Sequence, residues 1–273
     1  MPTVVCFHAH PDDESIATAG LMARASAAGH RVVLVVATRG ERGTPVPGVL
    51  ADGEDLSLRR TAETYESARR VGAQRVEFLG FVDSDMMGEP ANEEPWTFWQ
   101  ADVDHAARRL SVILDEERAD LLTVYDDNGG YGHPDHIQVH RVGTRAASMA
   151  GTPVVFESTM NRTFIQRRME EMPVPVESTG GDTAAPSGPP DVSNLGKPEE
   201  EITHRVDVRA VLDRKRAAME AHESQIAPDH FLLAMAPEVF AEAMGTEWFI
   251  LHAGDVSAGS WVAELFEPHQ PGA

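Results

Sequence analysis

Short apolar runs alternate with segments of helical periodicity along most of the chain, and this alternation limits the fold more than any other feature. The apolar runs predict five strands, at residues 3–9, 31–37, 75–79, 120–124 and 153–157. Helical spacing fills the intervals between them, at residues 15–28, 58–71, 98–118 and 134–149. Strands joined by crossover helices form a mostly parallel sheet with helices on both faces. The predicted fold class is therefore α/β.

The alternation stops after about residue 172, and the rest of the chain has a different composition. Residues 175–200 are rich in Pro, Gly, Ser, Thr and acidic side chains, which predicts a flexible loop or cover. Residues 201–260 are expected to form a C-terminal helix/strand cap, and residues 261–273 a loose tail. The predicted domain is single, spanning residues 1–260. The cap is predicted to contain strands at 202–208 and 248–251 and helices at 211–223 and 238–244.

Length and charge exclude several classes of protein. The chain has 273 residues, 42% of them hydrophobic, which is enough to bury one sizeable core. Its formal net charge of −21 would repel a phosphate backbone, so no nucleic-acid partner is expected. No apolar run approaches the roughly 18 residues that span a bilayer, and no signal peptide is visible, so we expect no membrane partner and a cytoplasmic location. Cys6 is the single cysteine, which rules out an internal disulfide.

Imidazole and carboxylate side chains follow two of the predicted strands. His10, Asp12 and Asp13 come directly after the first strand, and His133 and His136 follow the fourth. Ligands of open parallel sheets bind outside the carboxyl ends of the strands. Pro134 suits the first turn of a helix, which would place the two later histidines on one helical face. Both loops can therefore converge on one point.

Two neutral imidazoles and one carboxylate leave coordination positions free for water and substrate, as in catalytic zinc sites. We assign His10, Asp13 and His136 as metal ligands. Asp12 is left unbound but close, and we expect it to act as a general base toward water whose pKa the metal lowers to about 7. Zn²⁺ is the expected cofactor, and Fe²⁺ is an alternative occupant of the same ligands.

Each of these residues also has a structural interpretation. Asp135 would offset a helix dipole and His133 would cap a helix if neither took part in chemistry. Two clusters at matching strand ends favour the functional interpretation over the structural one. For His8 a supporting role and a core role are equally compatible with the pattern, and for His140 an ordinary place on a helix face is preferred.

The quoted motifs resemble those of the PIG-L/LmbE family of zinc-dependent N-deacetylases. The sequence Ala-His-Pro-Asp-Asp-Glu occurs at 9–14 and Gly-His-Pro-Asp-His at 132–136. The resemblance extends to the segments around Arg60 and Glu63, 81–84, 125–131 and 221–225, and so covers most of residues 3–251. It implies a Rossmann-like fold and removal of an acetyl group from an amino sugar or a related amine.

The resemblance also implies roles for individual residues. The metal ligands fall on the same three positions, the general base on Asp12, and a cationic or hydrogen-bonding partner for the oxyanion on His133. Asp135 would support His133, and Tyr131 would polarise the amide carbonyl. Contacts to substrate hydroxyls fall on three further residues, for which surface pairing and turn formation are the structural alternatives: Glu41, Arg60 and Asp83.

The predicted function is a metal-dependent amidohydrolase that acts on a small N-acetylated sugar or glycoconjugate. The alternatives within this class are an amidase of mycothiol-type conjugates and a tailoring deacetylase of natural products. The sequence Ser-Ile-Ala-Thr at 15–18 and Gly132 favour sugar deacetylases over the amidases, which carry a lysine shortly after the first motif and a proline before the second. An iron(II) oxygenase uses a similar ligand set but usually a β-barrel fold. A non-enzymatic sugar-binding module would need no Asp12. A homo-oligomer is compatible with the sequence.

Overall fold

The computed structural model describes residues 1–171, 191–257 and 260–271. Its strands are β1 (Thr3–His8), β2 (Arg31–Val36), β3 (Arg75–Phe78), β4 (Leu121–Tyr125), β5 (Val154–Thr159), β6 (His204–Asp207), β7 (Thr246–Ala253) and β8 (Glu267–Pro268). Its helices are α1 (Asp13–Ala17), α2 (Ala19–Ala27), α3 (Leu56–Val71), α4 (Val103–Glu117), α5 (Gly129–Gly132), α6 (Pro134–Ala150), α7 (Arg162–Glu171), α8 (Leu212–Glu220), α9 (Pro237–Met244) and α10 (Trp261–Leu265).

The strands form one sheet in the order β3-β2-β1-β4-β5-β7-β6-β8. The first five predicted strands, β1 to β5, are parallel to one another, and β7 joins β5 in antiparallel orientation. The α/β prediction with a mostly parallel sheet is therefore confirmed. The order of the strands reverses between β1 and β4, because β2 and β3 lie on one side of β1 while β4 and β5 lie on the other.

Both faces of the sheet are covered by helices, so its central strands are buried on both sides. Alternate residues of β1 show this: Val5 and Phe7 pack in a cluster with residues of α4 and α6, whereas Val4 and Cys6 pack with residues of α2 and α8. This burial explains why β1 reads as a continuous apolar run rather than an alternating one. Cys6 is fully buried in the second cluster, as expected of a small apolar side chain.

The helix predicted at 15–28 is two helices, α1 and α2, that meet at Thr18. The carboxylate of Glu247 on β7 accepts hydrogen bonds from the backbone N–H groups of Gly20 and Leu21, both at 2.8 Å. These are first-turn N–H groups of α2, which have no partner within their own helix. Lys215 donates to the same carboxylate at 2.5 Å, and both side chains are buried. The buried pair of Glu247 and Lys215 therefore stabilises the first turn of α2. Local periodicity could not predict this, because both residues lie far from α2 in the sequence.

The C-terminal residues extend the sheet. The residues expected to form a cap supply β6 and β7, and α8 packs beside α2 and α3. The loose tail predicted at 261–273 is wrong for its described part, because residues 261–268 form α10 and β8. Val262 and Leu265 are buried, and the ring of Phe266 stacks on Phe156 with a centroid distance of 4.0 Å. Apolar burial holds this segment.

Most of the predicted loop at 175–200 lies outside the described residues. Its last ten residues, 191–200, are described and run beside the turn that follows β4. The N–H of Gly196 donates to the carbonyl of Gly130 at 2.5 Å, and the N–H of Lys197 donates to that of Met160 at 2.9 Å. Across the described ranges, no helix combines the length and the apolar character needed to cross a bilayer.

Candidate metal and catalytic site

The predicted site residues lie at the point where the strand order reverses. β1 and β4 are adjacent and parallel, so the turns after their carboxyl ends emerge side by side. The turn after β1 carries His10, and the turn after β4 carries His133 and His136. All three side chains are buried. In open α/β sheets this crevice is the usual ligand-binding place.

The first turn is backbone-strained at Asp12. Its φ of 101° and ψ of −33° lie outside the regions that residues with a Cβ normally adopt. Such a conformation costs on the order of 1–3 kcal/mol and persists only where its surroundings enforce it. α1 begins at the next residue, Asp13, whose Oδ2 accepts a hydrogen bond from the backbone N–H of His10 at 2.8 Å. The turn therefore folds Asp13 back toward His10.

Glycines and an aspartate shape the second turn. Asp126 Oδ1 accepts hydrogen bonds from the N–H groups of Asn128 and Gly130, both at 3.0 Å. Gly129 has a φ of 63°, and a Cβ there would lie 2.6 Å from the Cβ of His136. Only glycine permits this close approach. The loop thus closes tightly over the start of α6, which carries His136 in its first turn.

The three predicted metal ligands lie together. Asp13 places one carboxylate oxygen 3.4 Å from Nδ1 of His10 and the other 3.3 Å from Nε2 of His136. The two imidazole rings are 5.4 Å apart between centroids. His133 is also close: ring nitrogens of His10, His133 and His136 lie within 4.8 Å of one another. This donor set, imidazoles with a carboxylate, fits a catalytic zinc ion.

The carboxylates around His10 change the electrostatics of this cluster. Burial alone would lower the pKa of His10, yet the carboxylates of Asp83, Asp13 and Asp135 raise it well above its usual value. Burial alone would raise the pKa of Asp13, but His136 and His10 hold it well below its usual range. Opposite charges thus replace solvent in the cluster, as expected for groups that share one buried space.

Asp135 contacts two histidines of the cluster. Its backbone N–H donates to Nδ1 of His133 at 3.1 Å, which is a contact with the histidine that it was expected to support. Its carboxylate contacts a different histidine: Oδ2 lies 3.1 Å from Nε2 of His10. The carboxylate also accepts hydrogen bonds from the backbone N–H and the hydroxyl of Ser84. It thus orients His10 from the side opposite Asp13, as outer carboxylates orient metal-binding histidines.

His133 is a neutral hydrogen-bond donor. Burial, His10 and His136 lower its pKa to about 3, so the imidazole carries no charge near neutral pH. Its Nδ1 accepts the N–H of Asp135, which assigns the single ring proton to Nε2. Nε2–H is then free to donate to a developing oxyanion. Of the two expected forms, cationic or hydrogen-bonding, the contacts favour the hydrogen-bonding one.

Arg60 lies behind Asp12. Its guanidinium is buried and donates to the carbonyl oxygens of Gly40 and Pro11, at 2.9 and 2.5 Å, and lies 3.3 Å from Oδ1 of Asp12. These contacts favour a role in holding the turn rather than the expected contact with a substrate hydroxyl. Burial raises the pKa of Asp12 to about 6 despite Arg60, although 22% of its side chain is exposed.

The remaining predicted contacts are spread around the cluster. Tyr131 is 41% exposed and its hydroxyl lies 3.5 Å from Nε2 of His136, so it can reach a molecule bound beside the predicted metal ligands. Glu41 is exposed and accepts a hydrogen bond from the N–H of Asp83 at 3.2 Å. Asp83 itself is buried, 3.6 Å from Nε2 of His10. Its contacts are with protein groups, whereas Glu41 is open to solvent.

Three buried side chains form a chain of contacts behind the site: Tyr125, His8 and Thr18. The sequence pattern assigned no role to Tyr125 or Thr18, and for His8 it left a supporting role and a core role equally possible. The ring of Tyr125 stacks on His136, with centroids 4.3 Å apart and planes 9° from parallel. Its hydroxyl is 2.8 Å from Nδ1 of His8, whose Nε2 is 2.8 Å from the hydroxyl of Thr18. His8 therefore supports the site from the core. The only available signal was position: His8 and Tyr125 are the last residues of β1 and β4.

Comparisons with known proteins find a matching family model and similar proteins. A family model described as PIG-L, GlcNAc-PI de-N-acetylase, matches residues 5–147. The 1D-myo-inositol 2-acetamido-2-deoxy-alpha-D-glucopyranoside deacetylase of Acidothermus cellulolyticus is 40% identical, covering 92% of this chain and 89% of its own. The enzyme of the same name from Thermobifida fusca is 38% identical, covering 90% and 91%.

A solved structure shares the fold. The N,N'-diacetylchitobiose deacetylase of Pyrococcus horikoshii matches with a TM-score of 0.61 at 18% identity, covering 94% of this chain and 87% of that one. The two relatives above are named as deacetylases, and the chain covers about 90% of the length of each. The chain is therefore an enzyme that hydrolyses amide bonds. The match of the family model and of these relatives shows that the chain belongs to the PIG-L family of N-deacetylases.

Proposed function

We propose that this chain is a metal-dependent deacetylase of an N-acetylglucosaminyl-inositol, the compound type named for its relatives. The observation that carries the proposal is the convergence of His10, Asp13 and His136, from two turns, beside Asp12 and His133. The support for the substrate is the identity of 40% to a deacetylase of 1D-myo-inositol 2-acetamido-2-deoxy-alpha-D-glucopyranoside over 92% of the chain. The exposed carboxylate of Glu41 at the rim suits recognition of sugar hydroxyls.

The side chains divide the work of amide hydrolysis. Asp12 takes a proton from the attacking water as the water oxygen bonds to the carbonyl carbon. His133 donates Nε2–H to the carbonyl oxygen as it becomes negative, and Tyr131 donates its hydroxyl from the open side. Protonated Asp12 then delivers the proton to the amide nitrogen as the C–N bond breaks, which releases acetate and the free amine.

His10, Asp13 and His136 would hold the metal, with Asp135 orienting His10. A Zn²⁺ or Fe²⁺ ion at these ligands supplies Lewis-acid polarisation of water and carbonyl that the side chains cannot. Tyr125, stacked on His136, keeps that ring in place.

The experiment is acetate release by the zinc-loaded protein from N-acetylglucosaminyl-inositol. Diacetylchitobiose and a mycothiol-type conjugate are the comparison substrates, since they test a different sugar aglycone and a different amide. We expect the inositol compound to give the highest kcat/KM, and the Asp12→Ala variant to release acetate at least about 100-fold more slowly. Hydrolysis of any of the three amides releases a free amine, whereas only the N-acetyl compounds release acetate. Faster amine release from the conjugate, without acetate, would replace the proposal by the amidase alternative. No amine from any of the three would refute it.

A further inference from the structure

The side chain of Asp12 does not explain the unusual backbone conformation of this residue. Its side chain makes no capping hydrogen bond to α1, the helix that begins at the next residue. Asp12 is nevertheless one of only three non-glycine residues with positive φ in the described part of the chain. Because an L residue rarely adopts such a φ by itself, groups elsewhere must hold this backbone in place.

Glu14 contacts the strained residue directly. Its Oε2 accepts a hydrogen bond from the backbone N–H of Asp12 at 3.1 Å. Its Oε1 accepts one from the hydroxyl of Ser67 on α3, at 2.5 Å, and lies 2.6 Å from Nε2 of His222. The side chains of Glu14 and His222 are fully buried. A carboxylate with three donors in a buried place has little freedom to move.

His222 is held against this carboxylate by its contacts. Within the described residues, Glu14 is the only hydrogen-bond partner of the His222 ring, whose Nδ1 is buried without one. The segment that carries the ring is itself anchored, because Ser224 donates through its N–H and its hydroxyl to the carboxylate of Glu63 on α3, at 2.9 and 2.6 Å. His222 is therefore fixed to the same helix that supplies Ser67.

Arg60 fixes the other side of the turn. It binds the carbonyl of Pro11, the residue before Asp12, while Glu14 binds the N–H of Asp12 itself. These two groups belong to the same peptide unit, so its plane is held from both ends. Gly40 makes room for the guanidinium, since a Cβ there would lie 2.2 Å from its Nη1.

We propose that Glu14, held by Ser67 and His222, is a positioning residue that keeps the Pro11–Asp12 peptide in its strained orientation and so directs the Asp12 carboxylate toward the reaction centre. The inference rests on the proposed role of Asp12 as general base. It gives the C-terminal segment around His222 a part in catalysis, although that segment contacts neither the metal ligands nor Asp12 by a hydrogen bond.

The test is the Glu14→Gln variant of the zinc-loaded protein, with Glu117→Gln as its matched control. Glutamine has one acceptor oxygen instead of two, so one donor loses its partner. We expect kcat to fall roughly 10- to 100-fold, as for small misplacements of reacting groups, with KM and zinc content within about twofold of wild type. Glu117 is also a buried, hydrogen-bonded carboxylate, but it lies at the opposite edge of the sheet. Glu117→Gln should leave kcat unchanged.

Two further measurements separate positioning from a general loss of structure. In the Asp12→Ala background, whose residual rate comes from the other groups, Glu14→Gln should lower kcat less than about twofold. His222→Gln, which keeps a donor toward Glu14, should retain more activity than His222→Leu. If Glu14→Gln fails to fold, this His222 pair carries the test. A loss of equal size in the Asp12→Ala background would overturn the proposal.

Hydrogen exchange provides a readout that does not depend on activity. The backbone N–H of Asp12 should exchange faster in Glu14→Gln than in wild type, and at the wild-type rate in Glu117→Gln. Unchanged exchange in Glu14→Gln would also overturn the positioning role. If wild-type protein deacetylates nothing, the proposed function fails, while the exchange experiment still decides whether Glu14 holds the turn.

Discussion

The two edges of the parallel sheet both concentrate charge, but they use it differently. At the amino edge, Arg31 and Arg75 begin β2 and β3 and share the carboxylate of Glu117, with bonds of 2.9 Å from each guanidinium. At the carboxyl edge, His10 lies among three carboxylates. Both arginines pair with acidic side chains, and Arg75 also pairs with Glu77 and Glu116. The carboxyl edge instead gathers several carboxylates and imidazoles around one small volume.

This difference indicates that the charges at the amino edge stabilise the fold, whereas those at the carboxyl edge serve the proposed chemistry. The two arginines of the amino edge are partly exposed, and their pairing with Glu117 lowers the pKa of that carboxyl to about 2. The carboxyl-edge groups are buried, and burial combined with crowding moves their pKa values in both directions. Perturbed groups that gather in a crevice are typical of active sites. Substitutions at the carboxyl edge should therefore lower activity, whereas substitutions at the amino edge should lower stability and leave activity unchanged.

The largest effect is expected from Asp13, whose two oxygens lie next to His10 and His136. Asp13→Ala should lose its metal and all measurable activity. Asp12→Ala should keep the metal and lose about 100- to 10,000-fold in kcat, because only the base is removed. Metal content of both variants, measured beside kcat, checks the division. Equal loss of metal in the two would contradict it.

A smaller loss is expected from His133. His133→Ala removes one donor to the oxyanion and should lower kcat about 100- to 1,000-fold while the metal stays bound. His133→Gln keeps a donor and serves as the control, with a smaller loss. The ring nitrogens of His10, His133 and His136 lie close enough to hold an ion together. Loss of metal from His133→Ala would therefore make this residue a ligand and overturn its assignment as donor.

The smallest effect on activity is expected at the amino edge. Glu117→Gln should leave kcat unchanged and lower the free energy of unfolding by about 2 kcal/mol at pH 7, the usual worth of hydrogen bonds to a charged group. The folded-state pKa of Glu117 is lowered from 4.5 to about 2. Its contribution is therefore complete above pH 4.5 and is lost as the pH falls toward 2. Denaturant unfolding at several pH values should show the difference between wild type and variant shrinking in that range.

Local sequence was sufficient for the parallel part of the sheet. β1 to β5 were predicted to within two residues at each end, because each is an apolar run closed by a helix with its own start and stop signals. The helix at 15–28 and the tail after Ser260 were predicted less well. α2 starts where Glu247 reaches it, and α10 is held by burial of Val262 and Leu265. Both depend on contacts between distant parts of the chain, which periodicity does not record.

The site shows the same division. Spacing of His10, Asp13 and His136 after two strands was enough to predict that they meet, since parallel neighbours present their carboxyl ends at one edge. Which carboxylate faces which imidazole was not predictable. Asp135 was expected to support His133, and its backbone N–H contacts Nδ1 of that residue, which caps α6. Its carboxylate, however, lies beside His10.

The sequence alone determined the strand–helix alternation, the two turns that carry the predicted metal ligands and, through its motifs, the family. Tertiary structure decided how the first turn is held. Asp12 adopts its unusual φ because Glu14, Ser67, His222 and Arg60 surround the peptide before it. Patterns of neighbouring residues encode propensity and periodicity. They do not show that Ser67, His222 and Arg60, which the fold brings from elsewhere in the chain, surround Glu14 and this strained peptide.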